Sequence, residues 1–124
     1  MIPDDDFRDF LTALSAAGVK HLVIGAFALA SHGYVRATGD LDVWIEPTRA
    51  NVRRLRVAIR EFADASLEFF KVDEEALVEE KAGFFMGVEP SRIDVHTNVA
   101  GLTFKQAWRG RMASETPGVP IDVL

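Results

Sequence analysis

The sequence predicts an α/β (α+β) fold: a mixed β-sheet flanked by helices, in one domain spanning residues 1–124. Two patterns lead there. Some segments repeat apolar residues at helical spacing, while others alternate apolar and polar side chains as a half-wet strand does. The two kinds interleave along the chain, which favours a sheet with helices laid on it over separate blocks. The balance of 48% hydrophobic and 27% charged residues is globular, and 124 residues can bury about two-thirds of their unfolded surface in one core.

The elements follow in order. Residues 4–17 read as a helix, because Phe7, Phe10, Leu11 and Leu14 share a face and Asp4, Asp5 and Asp6 suit the positive end of its dipole. Gly18 ends it. Residues 20–24 form a short buried strand. Gly25 follows, and residues 26–33 open a short helix. Residues 40–46 alternate as a strand with one wet face. Pro47-Thr48 starts a helix that runs to Ala63, with Val52, Leu55, Ile59 and Phe62 as its core stripe. Then come a strand over 67–72, a short acidic helix over 73–80, an apolar strand over 83–88 and an alternating strand over 91–98. A helix over 103–110 precedes a hairpin of 111–115 and 119–123 about Thr116-Pro117-Gly118.

Composition removes several classes of function. With 14 basic and 19 acidic residues the net charge is −5, so polyanion binding needs a local basic patch. The absence of cysteine excludes disulfides, thiolate metal sites and cysteine nucleophiles. Met1-Ile2-Pro3-Asp4-Asp5-Asp6 is acidic and lacks the basic start of a signal peptide. No apolar run reaches the roughly 18 residues of a membrane helix. The expectation is a cytoplasmic enzyme or binding module with no membrane contact.

The stretch from Gly25 to Glu46 carries the chemistry. Alternation places Asp40 and Asp42 on one strand face, where two carboxylates repel unless a cation lies between them, and Mg²⁺ is the usual answer. Asp94, on the later strand Arg92-Ile93-Asp94-Val95, completes a three-carboxylate cluster if the two strands are neighbours. Gly25, between a strand and a helix N-terminus, offers free backbone N–H groups and no Cβ to hold a phosphate away. A triphosphate site beside paired carboxylates is what metal-assisted phosphoryl transfer needs.

These residues also resemble a family. The polymerase β-like nucleotidyltransferases carry a hydrophobic residue, Gly, then Gly or Ser, a spacer, and Asp-hydrophobic-Asp-hydrophobic. Here the pattern is Ile24-Gly25-Ala26, thirteen residues, then Asp40-Leu41-Asp42-Val43. The surrounding wording is similar to a small bacterial branch that includes AbiEii-type toxin partners and minimal antitoxin-like transferases. The resemblance implies that Asp40, Asp42 and Asp94 hold Mg²⁺, and that Asp94 also helps deprotonate an acceptor hydroxyl. Gly25 and the Ala26 backbone N–H would hold the β- and γ-phosphates of an NTP. Two departures stand out. Ala26 replaces Gly or Ser, and the chain stops at Leu124, where relatives continue into a helix often rich in Lys or Arg. The resemblance therefore implies a domain lacking a C-terminal helix, or one whose pocket a partner completes.

Other residues have weaker claims. Arg36 is expected to contact phosphate, and Thr38 either contacts phosphate or satisfies local backbone groups. His32 and His96 show no metal-pair spacing and are expected to play supporting roles, His96 in phase with Asp94. Asp94 itself has an ordinary alternative, an ion pair with Arg92 or His96. Arg49, Arg53, Arg56 and Arg60 form a stripe on one helix face, either solvated or in contact with RNA or an acidic partner. Trp44 is expected to point away from Asp40 and Asp42 into the core, and Trp108 to pack its helix down. The expected activity is transfer of a nucleotidyl group from an NTP to a hydroxyl on a protein, a tRNA or a small molecule. The alternative is a catalytically degenerate binding module, part of a toxin–antitoxin pair.

Overall fold

The structure is a computed structural model that describes residues 5–24, 40–88, 91–114 and 121–123. It is a mixed α+β fold built on one sheet. The expected helix over 26–33 lies outside the described residues.

Helix α1 (Asp5–Ala16) forms because Phe7, Phe10, Leu11 and Leu14 recur on one face, and all four are almost completely buried. It stops at Gly18, whose φ of 73° lets the Val19 N–H turn back to the Leu14 carbonyl at 2.9 Å. Strands β1 (His21–Ile24) and β2 (Asp40–Ile45) follow. Helix α2 (Arg49–Ala63) begins at Thr48, whose hydroxyl accepts from the Asn51 N–H, and ends at Asp64 in the left-handed region. Helix α3 (Glu74–Val78) is capped by the Asp73 carboxylate. Strands β3 (Phe84–Met86) and β4 (Arg92–His96) come next. Helix α4 (Phe104–Arg109) starts with a reciprocal Thr103–Gln106 cap. Strands β5 (Met112–Ser114) and β6 (Ile121–Val123) pair antiparallel, as the expected hairpin requires.

The strand expected over 67–72 is instead a 3₁₀ turn, Leu67–Phe70. Leu67 is buried and Phe70 half-buried, while Phe69 is 73% exposed, so the inward period is three and not two. The Phe69 N–H reaches the Ser66 carbonyl and the Lys71 N–H that of Glu68, which uses locally the groups a sheet neighbour would need. Phe70 packs on Phe84 with ring centroids 5.7 Å apart.

The six strands of the described residues run in the order β3-β4-β2-β1-β6-β5. The β2–β4 and β1–β6 pairs are parallel and the others antiparallel. Helices α1 and α2 cover one face, where Val23, Leu41, Val43, Ile45, Ile93 and Val95 join the main core. The other face divides along its length. Leu22 and Trp44 are buried there beneath Phe104 and Ala107 of α4, with Trp44 edge-on to Phe104 at 5.3 Å. Trp44 is core, as expected, but on the same face as Asp40 and Asp42 and not the opposite one. Positions 40, 42 and 44 share a phase, and α4 makes the far end of a partly wet face dry. None of the described helices is long and apolar enough to cross a membrane.

Candidate functional site

The end of that second face away from α4 gathers the three aspartates singled out by the sequence. In the parallel β2–β4 ladder, Asp42 is the register partner of Asp94, and Asp40 is the partner of Arg92. Neighbouring strands lie about 4.8 Å apart. Asp40, Asp42 and Asp94 therefore occupy adjoining positions on one face, and all three are half-buried. A non-local pairing creates this proximity, since β2 and β4 are separated in sequence by α2, α3 and β3.

Each carboxylate meets a different environment. Asp42 Oδ1 lies 2.8 Å from His96 Nε2, which comes from the next position along the same face of β4. Asp94 accepts from Arg92 Nη2 at 3.0 Å and from Arg92 Nε at 3.2 Å, and the Arg92 guanidinium stacks on the Phe85 ring 4.1 Å from its centroid. Asp40 Oδ1 is buried without a hydrogen-bond partner among the described residues. An orphaned carboxylate oxygen next to two further carboxylates is unfavourable by itself, and a bound cation would relieve it.

Hard oxygen donors of this kind suit Mg²⁺. As placed, however, Asp42 turns to His96 and Asp94 to Arg92, and the three do not converge. Among the described residues no group of three or more His, Asp or Glu side chains is arranged to hold a metal ion. Holding one would require Asp42 and Asp94 to rotate toward Asp40.

The structure brings Asp40, Asp42 and Asp94 together and adds His96, Arg92 and Phe85. Alternation over 91–98 placed His96 and Arg92 in phase with Asp94. Phe85 gave no such signal, because it sits between Phe84 and Met86 in an apolar run; only its phase opposite those buried neighbours marks it as outward. The expected phosphate contacts Gly25, Ala26, Arg36 and Thr38, and also His32, lie outside the described residues. Ile24, the residue before Gly25, is the register partner of Asp42.

Three of the four arginines of the stripe are paired with glutamates. Arg49 pairs with Glu74 and Glu75, Arg53 with Glu74, and Arg56 makes two 3.1 Å hydrogen bonds to Glu68. A large hollow lies against the helical side of the sheet, among α1, α2 and the 3₁₀ turn, and none of the three aspartates lines it. The three carboxylates lie on the opposite face of the sheet, the carboxylate shelf. No family model matches the sequence, and no curated protein and no solved structure matches it either.

Proposed function

We propose that the chain is a Mg²⁺-dependent nucleotidyltransferase that transfers an NMP group from an NTP to a hydroxyl acceptor, acting in the cytoplasm. The observation that carries this reading is the register of β2 against β4, which sets Asp94 beside Asp42 with Asp40 one step along the same face. Asp40, Asp42 and Asp94 would hold the ion, which supplies charge neutralisation at the phosphate oxygens. The Asp94 carboxylate would also accept the proton of the acceptor hydroxyl. The hydroxyl oxygen forms the new bond to the α-phosphorus, and the bond to pyrophosphate breaks. His96 holds Asp42 by one oxygen and leaves the other for the site. The Arg92 guanidinium, drawn to Asp94 and stacked on Phe85, would supply a cation beside the developing phosphate charge.

A second reading is favoured by the same contacts. Asp42 bound to His96 and Asp94 bound to Arg92 are what a site without catalysis would show, in a binding module that works with a protein partner such as an antitoxin. Melting temperature separates the two. It is measured with each NTP, with and without Mg²⁺, on the wild type and on Asp42→Asn. An NTP at about 100 times its dissociation constant adds about 2.7 kcal/mol. Stabilisation that needs Mg²⁺ and is lost in Asp42→Asn supports the transferase. No response to any NTP at millimolar concentration moves the binding module ahead.

A further inference from the structure

The hollow on the helical side has a volume of about 1100 Å³ and is partly open among the described residues. Its floor is apolar: Phe62, Phe70, Met86 and Ile93, with Ala13 and Ala17 of α1. Its exposed margin carries Phe69, 73% exposed, and Val57, 55% exposed, two of the large apolar side chains that water reaches most. Asp6, Asp9, Glu61 and Asp64 are the charged residues that line it, and no Lys, Arg or His joins them among the described residues. Arg56 and Arg60 line a smaller hollow that shares Val57, Glu61, Ala65 and Ser66 with it, and Arg56 is paired there with Glu68.

Size, shape and charge select the occupant. Small-molecule sites are concave, mostly enclosed and about 300–1,000 Å³. This hollow is at or above that range and partly open, as a groove for a chain segment is. The carboxylates of Asp9, Glu61 and Asp64 on its margin repel nucleotides, nucleic acid and anionic lipid headgroups alike. They attract Lys and Arg. An apolar floor with an acidic margin matches a helix whose one face is apolar and whose flanks are basic.

We infer that the groove between α1, the C-terminal end of α2 and the 3₁₀ turn is a docking surface for a basic amphipathic helix of a protein partner. The surface is separate from the carboxylate shelf. Met86 and Ile93 face the groove, while their chain neighbours Phe85 and Asp94 face the shelf. The inference stands or falls independently of the transferase reading.

The test uses a fluorescein-labelled peptide of about three helical turns, with Leu at helical spacing and Lys elsewhere, and a second peptide with Glu in place of Lys. Binding is read by fluorescence anisotropy. The Lys peptide should bind at least about tenfold more tightly than the Glu peptide. Phe69→Asp and the double change Asp9→Lys/Glu61→Lys should each weaken it by about tenfold or more, with unchanged circular dichroism. Glu79→Lys/Glu80→Lys, exposed and outside the groove, should leave it unchanged. Three outcomes overturn the inference. One is binding that ignores Phe69→Asp. Another is equal loss in Glu79→Lys/Glu80→Lys, which marks unspecific charge attraction. The third is a dimer in light scattering that Phe69→Asp dissolves, which assigns the groove to a second copy of the chain.

Discussion

His96 Nε2 lies 2.8 Å from Asp42 Oδ1, a contact between residues 54 positions apart that ties β4 diagonally to β2. Both side chains keep about a third of their surface exposed, so the bond is worth less than a buried charged one. His96→Ala should lower stability by about 1 kcal/mol, seen as a lower urea midpoint at constant slope. His96→Gln keeps an N–H donor and should lose less. If the two variants are equally destabilised, packing and not this hydrogen bond is the source. If Asp42 holds a metal, His96→Ala should also weaken the stabilisation given by NTP with Mg²⁺, because an untethered carboxylate is a poorer ligand.

The arginine face predicts an acid limb. A hydrogen bond from the Arg49 guanidinium, with help from Arg53, holds the Glu74 carboxyl below its usual range, and hydrogen bonds from Arg56 do the same for Glu68. Carboxyls with lowered values in the folded state bind fewer protons there than in the unfolded chain. Their contribution is complete above the ordinary carboxylate value and is lost as pH falls through the lowered folded values. Melting temperature should therefore fall on acidification, and Glu74→Gln should flatten that fall. So should high salt, since these pairs are at the surface. Because the arginines already have partners, Arg53→Ala and Arg56→Ala should leave RNA retention on a filter at the wild-type level. A salt-sensitive loss of RNA binding would restore the RNA reading of this face.

The secondary structure was largely legible because it depends on local patterns. The alternation in Asp-Leu-Asp-Val-Trp-Ile and Arg-Ile-Asp-Val-His gave β2 and β4 almost to the residue. The adjacency of Asp42 and Asp94 was not legible. Parallel strands joined through two helices and another strand carry no register signal in their own residues. Leu67-Glu68-Phe69-Phe70 misled for a different reason. Aromatic residues favour strands by propensity, but the tertiary contact of Phe70 with Phe84 decided the local turn. The expectation that Trp44 alternates away from Asp40 and Asp42 misread the phase, since positions 40, 42 and 44 share one face of β2, which is wet at Asp40 and dry beneath Phe104.

Gly83 marks a close approach that only glycine permits. A Cβ there would press against the backbone carbonyl oxygen of Val95 on β4, and a backbone atom within a paired sheet cannot retreat as a side chain can. Gly83→Ala should cost on the order of 2 kcal/mol. Gly110 provides the contrast: its added Cβ would come no closer than 3.9 Å to a heavy atom, the Ala107 carbonyl oxygen. Gly110→Ala should be close to neutral. Urea denaturation of the two variants side by side checks the difference, and equal midpoints would mean that β3 and β4 do not approach as described.

Asn51 joins three elements at the end of the sheet away from the aspartates. It is 1% exposed. Its Nδ2 donates to the carbonyls of Lys20 at 3.0 Å and Glu46 at 2.9 Å, and its Oδ1 accepts from the Lys20 N–H at 2.8 Å. One side chain on the first turn of α2 thus satisfies backbone groups at the start of β1 and just past the end of β2. The Glu46 N–H also reaches the Lys20 carbonyl, so removing the amide strips two backbone groups of their side-chain partner and leaves a third with one bond. Asn51→Ala should cost roughly 3 kcal/mol, about one per hydrogen bond lost. Asn51→Asp is the sharper variant. Its carboxylate can accept from Lys20 N–H, but its second oxygen would face two carbonyl oxygens with no proton between them, and the added charge would be buried. It should be at least as unstable as Asn51→Ala near neutral pH despite its nearly identical shape. A wild-type urea midpoint for Asn51→Asp would show that the donated pair of hydrogen bonds does not hold β1, β2 and α2 together.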